Sequence, residues 1–234
     1  GYGGLVTASN WHVSDGPTLD ALERYTYTTG DLIDRHGHFG GKHTGEGSNY
    51  SVRVGHEYES RSGVRSPEAL PLAVAQIAGH PHTISEIGWP QPNRFRADMT
   101  FLSSAYGALQ GIDAFFFFAV GSVFLADASV AKFQLGSPSV AATFPAAALI
   151  YRRGDVRESA PSVSQVIALE DLYAMKGSGA GNPAALDSLR EADIPAGAAA
   201  EGAIANYDPL SFYAGPFTRR FGVSAEESSQ ANLA

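Results

Sequence analysis

The chain has 234 residues, a formal net charge of −8, and 44% hydrophobic against 17% charged residues. That balance describes a compact globular chain, one domain or a main domain with a C-terminal extension, and excludes disorder as the default reading. Sixteen Lys and Arg, scattered and outnumbered by acids, argue against a nucleic-acid partner, and no apolar run reaches the roughly 20 residues of a membrane span.

In chain order, residues 4–9 read as a short apolar strand ending at Asn10-Trp11. Residues 18–25 carry Leu19, Leu22 and Tyr25 at helical spacing behind Pro17. Residues 31–35 give a second, weaker strand, followed by His36-Gly37-His38-Phe39. Residues 40–66 form a long polar loop rich in Gly, Ser and His, in which 50–54 alternate like a hairpin arm. Ser66-Pro67-Glu68 then opens an apolar helix running to residue 78, with Ser66 as N-cap, Pro67 at the first helical position and Gly79 as terminator.

Residues 82–87 are the third strand, and Phe95, Met99, Leu102, Tyr106 and Leu109 define one face of a helix over 95–110. The fourth strand lies within 112–120, where the run Phe115-Phe116-Phe117-Phe118 lacks alternation and predicts a parallel strand buried on both faces. A helix over 138–151 follows, then Ala- and Gly-rich sequence with helices expected at 168–175 and 183–191 and a last strand near 218–222. Four successive strand-loop-helix units imply an α/β fold with right-handed crossovers and a parallel sheet.

The densest chemical signal is Thr83-Ile84-Ser85-Glu86-Ile87-Gly88-Trp89-Pro90, a carboxylate at the mouth of a strand with an indole three residues on. With Ile112-Asp113-Ala114-Phe115-Phe116-Phe117-Phe118 after the next helix, it resembles the seventh and eighth strands of clan A glycoside hydrolases. The resemblance covers about residues 4–155, with 5–11 in the place of the fifth strand and 31–39 in that of the sixth. It also takes in Tyr151-Arg152-Arg153-Gly154-Asp155-Val156, similar to the start of the post-barrel connection in large bacterial members.

What the resemblance implies is a parallel (βα)4 half of a TIM-type barrel over residues 1–155 and a mixed C-terminal extension over 156–234. Glu86 would be the nucleophile of a retaining reaction on polysaccharide or oligosaccharide. The clan's acid/base glutamate follows an asparagine, and no Asn-Glu dipeptide occurs in this chain, so the acid/base half is expected to be absent. The eighth strand carries Phe where the clan usually has Trp. The implied alternatives are a vestigial carbohydrate-binding half-barrel, or one half of a split barrel needing an N-terminal partner. A half-barrel exposes a sheet edge at each end, so self-association that closes the edges is expected, unless residues 156–234 cover them.

Retaining hydrolysis needs two carboxyl groups roughly 5 to 5.5 Å apart. Glu86 suits the attacking role; the alternative for it is an ion pair with Arg94 or Arg96. Asp15, Asp34, Glu46 and Glu57 are candidates for the second group, and each equally suits a solvated loop or a structural ion pair. Asn10, Trp11, His36, His38 and Trp89 are the expected sugar-binding residues, through amide and imidazole hydrogen bonds and indole stacking. Trp11 equally suits core packing, and the two histidines equally suit backbone capping.

His36, His38, His43 and His56, with Asp34 and Glu46 nearby, lack the helical spacing of a His-Glu-x-x-His site, and neither metal nor other cofactor is expected. Gly177–181 lacks the ending of a phosphate loop. The absence of cysteine excludes disulfides without deciding the compartment, although the full-length family implies a secreted or periplasmic bacterial setting. The Gly1 start reads as processed or cut from a longer chain.

Overall fold

A computed structural model of the chain describes residues 3–10, 16–45, 51–120, 131–176, 207–223 and 228–230. The elements in chain order are α1 (Gly16–Tyr27), β1 (Ile33–His38), a short hairpin of β2 (His43–Thr44) and β3 (Glu57–Tyr58), β4 (Ala75–Ile77) and β5 (His82–Gly88). They continue with α2 (Asp98–Leu109), β6 (Ala114–Phe117), α3 (Pro138–Ala141), α4 (Phe144–Arg153), β7 (Val163–Ala168), α5 (Leu169–Tyr173), β8 (Phe217–Gly222) and β9 (Ser229–Gln230). The fold is mixed α/β with two parallel arrays, β1-β5-β6 and β4-β8-β7, the second extended by antiparallel β9. Among the described residues no helix is long and apolar enough to cross a membrane.

The β1-β5-β6 sheet carries the candidate site. All six residues of β1 are buried although four of them are Asp34, Arg35, His36 and His38. Buried polar groups need partners, and α1 supplies several. Asp20 accepts from Arg35 on β1 and from Arg219 Nη1 on β8 at 2.9 Å, while Arg24 Nη1 donates to the Asp34 carbonyl at 2.8 Å. The Asp34 carboxylate accepts from Thr83 Oγ1 and Ser85 N, both at 2.9 Å, which locks β1 to β5. One carboxylate on α1 therefore ties together strands from both sheets.

Residues 4–9 do not form the expected strand. The segment meets Asp31, two residues before β1, through two hydrogen bonds, Asp31 N to the Val6 carbonyl and Val6 N to the side-chain Asp31 Oδ2, each 2.8 Å. Leu5 and Val6 stay 70% and 49% exposed, so no apolar burial sustains a ladder there. The expected hairpin arm at 50–54 is reduced to a single bridge, Ser51 to Ala131, with Tyr50 outside the described residues.

The apolar run over 66–78 is not a helix. It forms one 3-10 turn at Pro67–Ala69 and then turns extended at Leu70, with φ −71° and ψ 138°. Pro71 explains the break: its ring excludes the helical conformation of the preceding residue and it has no N–H for the next turn. Leu70 and Leu72 are wholly buried, and residues 75–77 become β4, paired with β8. The expected helix at 138–151 is two helices, because Pro145 begins a new first turn at α4.

The phenylalanine run is also a correction. β6 lies at the edge of its sheet and alternates after all. Phe115 and Phe117 pack on the helix layer against Tyr151 and Phe144, whereas Phe116 is 57% exposed. Helix α2 approaches this layer so closely that a Cβ on Gly107 would lie 2.3 Å from the Phe115 ring.

Helices α1, α2 and α5 and strands β5 and β8 fall where the sequence predicts them, within a few residues. β4 and β7 were not predicted; β7 pairs in parallel with β8 over its whole length. The extension thus shares a sheet with β4, which comes from the first 155 residues. The expected helix at 183–191 lies outside the described residues.

Candidate active site

Parallel pairing of β1 with β5 decides what Glu86 meets. The register sets His36 opposite Glu86 and His38 opposite Gly88, with an irregularity between Arg35 and His36. Residues two apart on a strand share a face, so His36 and His38 point together toward the Glu86 carboxylate. His38 Nε2 lies 2.8 Å from Glu86 Oε1. A carboxylate only accepts, so the ring nitrogen carries the proton and donates it in this bond. One donor atom from each of His36, His38 and Glu86 lies within 4.8 Å of the others.

Burial differs across the cluster. The His36 and His38 residues are 5% and 4% exposed, whereas a quarter of the Glu86 side chain reaches solvent. His38 is wedged by aromatic rings, Phe133 at 4.6 Å and Phe118 at 6.0 Å between centroids. Gly88 makes room for it, since a Cβ there would stand 2.9 Å from the Phe118 carbonyl oxygen and 3.2 Å from His38 Nδ1. The imidazole is thus held rigidly, and the carboxylate it holds is accessible.

The arginine alternatives for Glu86 are spent elsewhere. Arg96 is buried and donates from Nε to the Trp89 carbonyl at 2.7 Å, from Nη1 to Ser137 Oγ at 2.9 Å, and to the Gln134 carbonyl. Arg94 lies over the Phe95 ring. Of the other carboxyl candidates, Asp34 is committed to β5 as described, Glu57 is exposed in the hairpin, and Asp15 and Glu46 lie outside the described residues.

Trp89 is a correction. Expected as a sugar platform, it is 1% exposed and packs against Phe39 with ring centroids 5.1 Å apart, inside the main core. The aromatic faces beside His38 belong instead to Phe118, 39% exposed, and Phe133. Sequence spacing offered no signal for Phe133, which comes from a loop held to the sheet by backbone hydrogen bonds such as that from Ala119 N to its carbonyl. Asn10 is drawn to the neighbourhood, its Nδ2 donating to Ser85 Oγ at 2.9 Å, one residue before Glu86. Trp11 lies outside the described residues.

The four histidines His36, His38, His43 and His56 divide into two groups. His43 and His56 form their own pair, 2.8 Å between Nε2 and Nδ1, with His43 stacked on Tyr58 in the hairpin. A cavity of about 310 Å³ lies between α2, β6 and α4, lined by Thr100, Asp113, Phe115, Phe117, Phe144 and Tyr151; Glu86 is not among its lining residues. No family model, curated protein or solved structure matches the chain.

Proposed function

We propose that the chain is a glycoside hydrolase-like protein of the clan A type, acting on polysaccharide or oligosaccharide by a retaining mechanism with Glu86 as nucleophile. One observation carries this reading: an accessible carboxylate toward the C-terminal end of a parallel strand receives an N–H from a buried histidine of the adjacent parallel strand. Barrel enzymes assemble their catalytic groups at that end of the strands. On this reading β1, β5 and β6, with the segment before α1, are the C-terminal half of a (β/α)8 barrel.

The chemistry follows from the pair. The His38 N–H holds the Glu86 carboxylate and aims it at an anomeric carbon, whose bond to the leaving oxygen breaks as the glycosyl ester forms, the acid/base group protonating that oxygen. A phenyl face at Phe118 supplies an apolar wall for a pyranose ring. A glycosyl ester on Glu86 would then be hydrolysed by water under general-base assistance.

The acid/base group is sought beyond Asp34 and Glu57, whose settings suit structural and solvent-facing roles. Leu5 and Val6 on the segment before α1, and Phe116 on β6 with Phe118 just after it at the other edge of the sheet, are all exposed and favour a second reading. In it, a second copy or an N-terminal half-barrel covers these edges and completes the site. The vestigial carbohydrate-binding role is the outcome left if completion never yields turnover.

An activated 2-deoxy-2-fluoro aryl glycoside, which traps the glycosyl ester, tests the proposal. Peptide mass spectrometry is expected to find the sugar on Glu86, and Glu86→Gln is expected to abolish labelling and turnover while oligosaccharide binding persists. Neither labelling nor turnover in the parent chain, across concentrations spanning monomer and any oligomer seen by sedimentation, would sink the enzyme reading.

A further inference from the structure

The geometry points to a divalent-cation site of the zinc class on His36, His38 and Glu86. Two imidazoles and one carboxylate are the donor set that suits zinc, cobalt and ferrous iron, and three protein ligands with one open position is the pattern of a reactive rather than a structural site. The three donor atoms already lie within 4.8 Å of one another. Ligand atoms around a tetrahedral zinc are about 3.3 Å apart for bonds of about 2.0 to 2.1 Å, so closure needs side-chain shifts of about 1.5 Å or less.

The scaffold favours such closure. His36 and His38 stand on one rigid strand, two residues apart and on one face, with ring centroids 5.7 Å apart. Phe133 and Phe118 fix the His38 ring, and Gly88 admits it. Glu86, with a quarter of its side chain in solvent, gives the path by which an ion enters. The single negative charge of the set offsets part of the ion's charge, and the open position remains for water or a sugar hydroxyl. The His43–His56 pair sits on the separate β2-β3 hairpin.

One consequence rests on the glycosidase reading: a bound ion holds the carboxylate that would attack the sugar, so Zn²⁺ would inhibit turnover competitively. The metal site itself does not rest on that reading. A protein that binds the ion but never turns over a glycoside would overturn only the enzymatic proposal.

The test is titration of the full chain with Co²⁺, followed by visible d–d absorption, and with Zn²⁺ by calorimetry. One ion per chain with the strong absorption of a tetrahedral centre is expected. His36→Ala and Glu86→Gln should each weaken binding at least about 100-fold, and the double variant His43→Ala with His56→Ala should leave it unchanged. Circular dichroism checks folding; if His36→Ala unfolds, Glu86→Gln decides, because its side chain is partly exposed. The site is overturned if the parent shows no saturable binding, if Glu86→Gln retains it, or if binding disappears with the hairpin histidines.

Discussion

Acidification should loosen the junction between the two sheets through one residue, His82. It opens β5, is 3% exposed, and accepts the N–H of Ile77, the last residue of β4, on Nε2 at 2.9 Å. Its Nδ1–H donates to the His80 carbonyl at 3.0 Å, so both ring nitrogens are committed and Nε2 must stay bare. A proton on Nε2 would face another donor in a dry site, and burial pushes this imidazole down from 6.5 to about 3. The unfolded chain takes up its proton near pH 6.5 and the folded chain not until about 3. Between those values the unfolded state holds more protons, so stability is intact above pH 6.5 and falls as pH drops. At about 1.36 kcal/mol per unit, acidification from 6.5 to 4.5 costs roughly 2.7 kcal/mol and the whole window on the order of 5 kcal/mol. Urea unfolding at about pH 7, 5.5 and 4.5 would compare the parent with His82→Gln, whose side-chain oxygen can accept from Ile77 without titrating. The parent is expected to lose roughly 2 to 3 kcal/mol more than the variant between pH 6.5 and 4.5. Equal slopes, or the His82 imidazole titrating near pH 6.5 by NMR, would refute the reasoning.

Asp20→Asn is expected to destabilise the fold by about 3 to 5 kcal/mol, because buried Arg35 and Arg219 both donate to this carboxylate; denaturant unfolding measures it. Asp155→Asn, which removes the exposed pair with Arg153, should change stability by less than about 1 kcal/mol in the same assay. Gly88→Ala should cost about 1 to 3 kcal/mol, since its Cβ meets the Phe118 carbonyl at 2.9 Å, and should displace the His38 ring, read as a changed imidazole chemical shift.

Local pattern made some of this molecule legible. The spacing in α1 and α2 and the apolar stretch of β5 were enough to set those elements, because amphipathic periodicity reports which face is covered. It failed at residues 66–78, where composition favoured a helix and Pro71 forbade it, and at β6, where four phenylalanines concealed an alternating edge strand. Strand β1 was weak in sequence because its burial depends on partners outside the strand, Asp20 of α1 for Arg35 and Thr83 and Ser85 of β5 for Asp34.

By itself the sequence determined that Glu86 stands on a strand near its C-terminal end and that two histidines, two residues apart, follow the end of a weaker one, because strand periodicity is local. Only the tertiary structure decided that these are the same place. Parallel register brings His36 and His38 to Glu86 across some fifty residues, while core packing takes Trp89 inward and leaves Phe118 beside His38. Hydrogen bonds between strands and the filling of a core are set by partners distant in sequence, and no spacing along one segment records them.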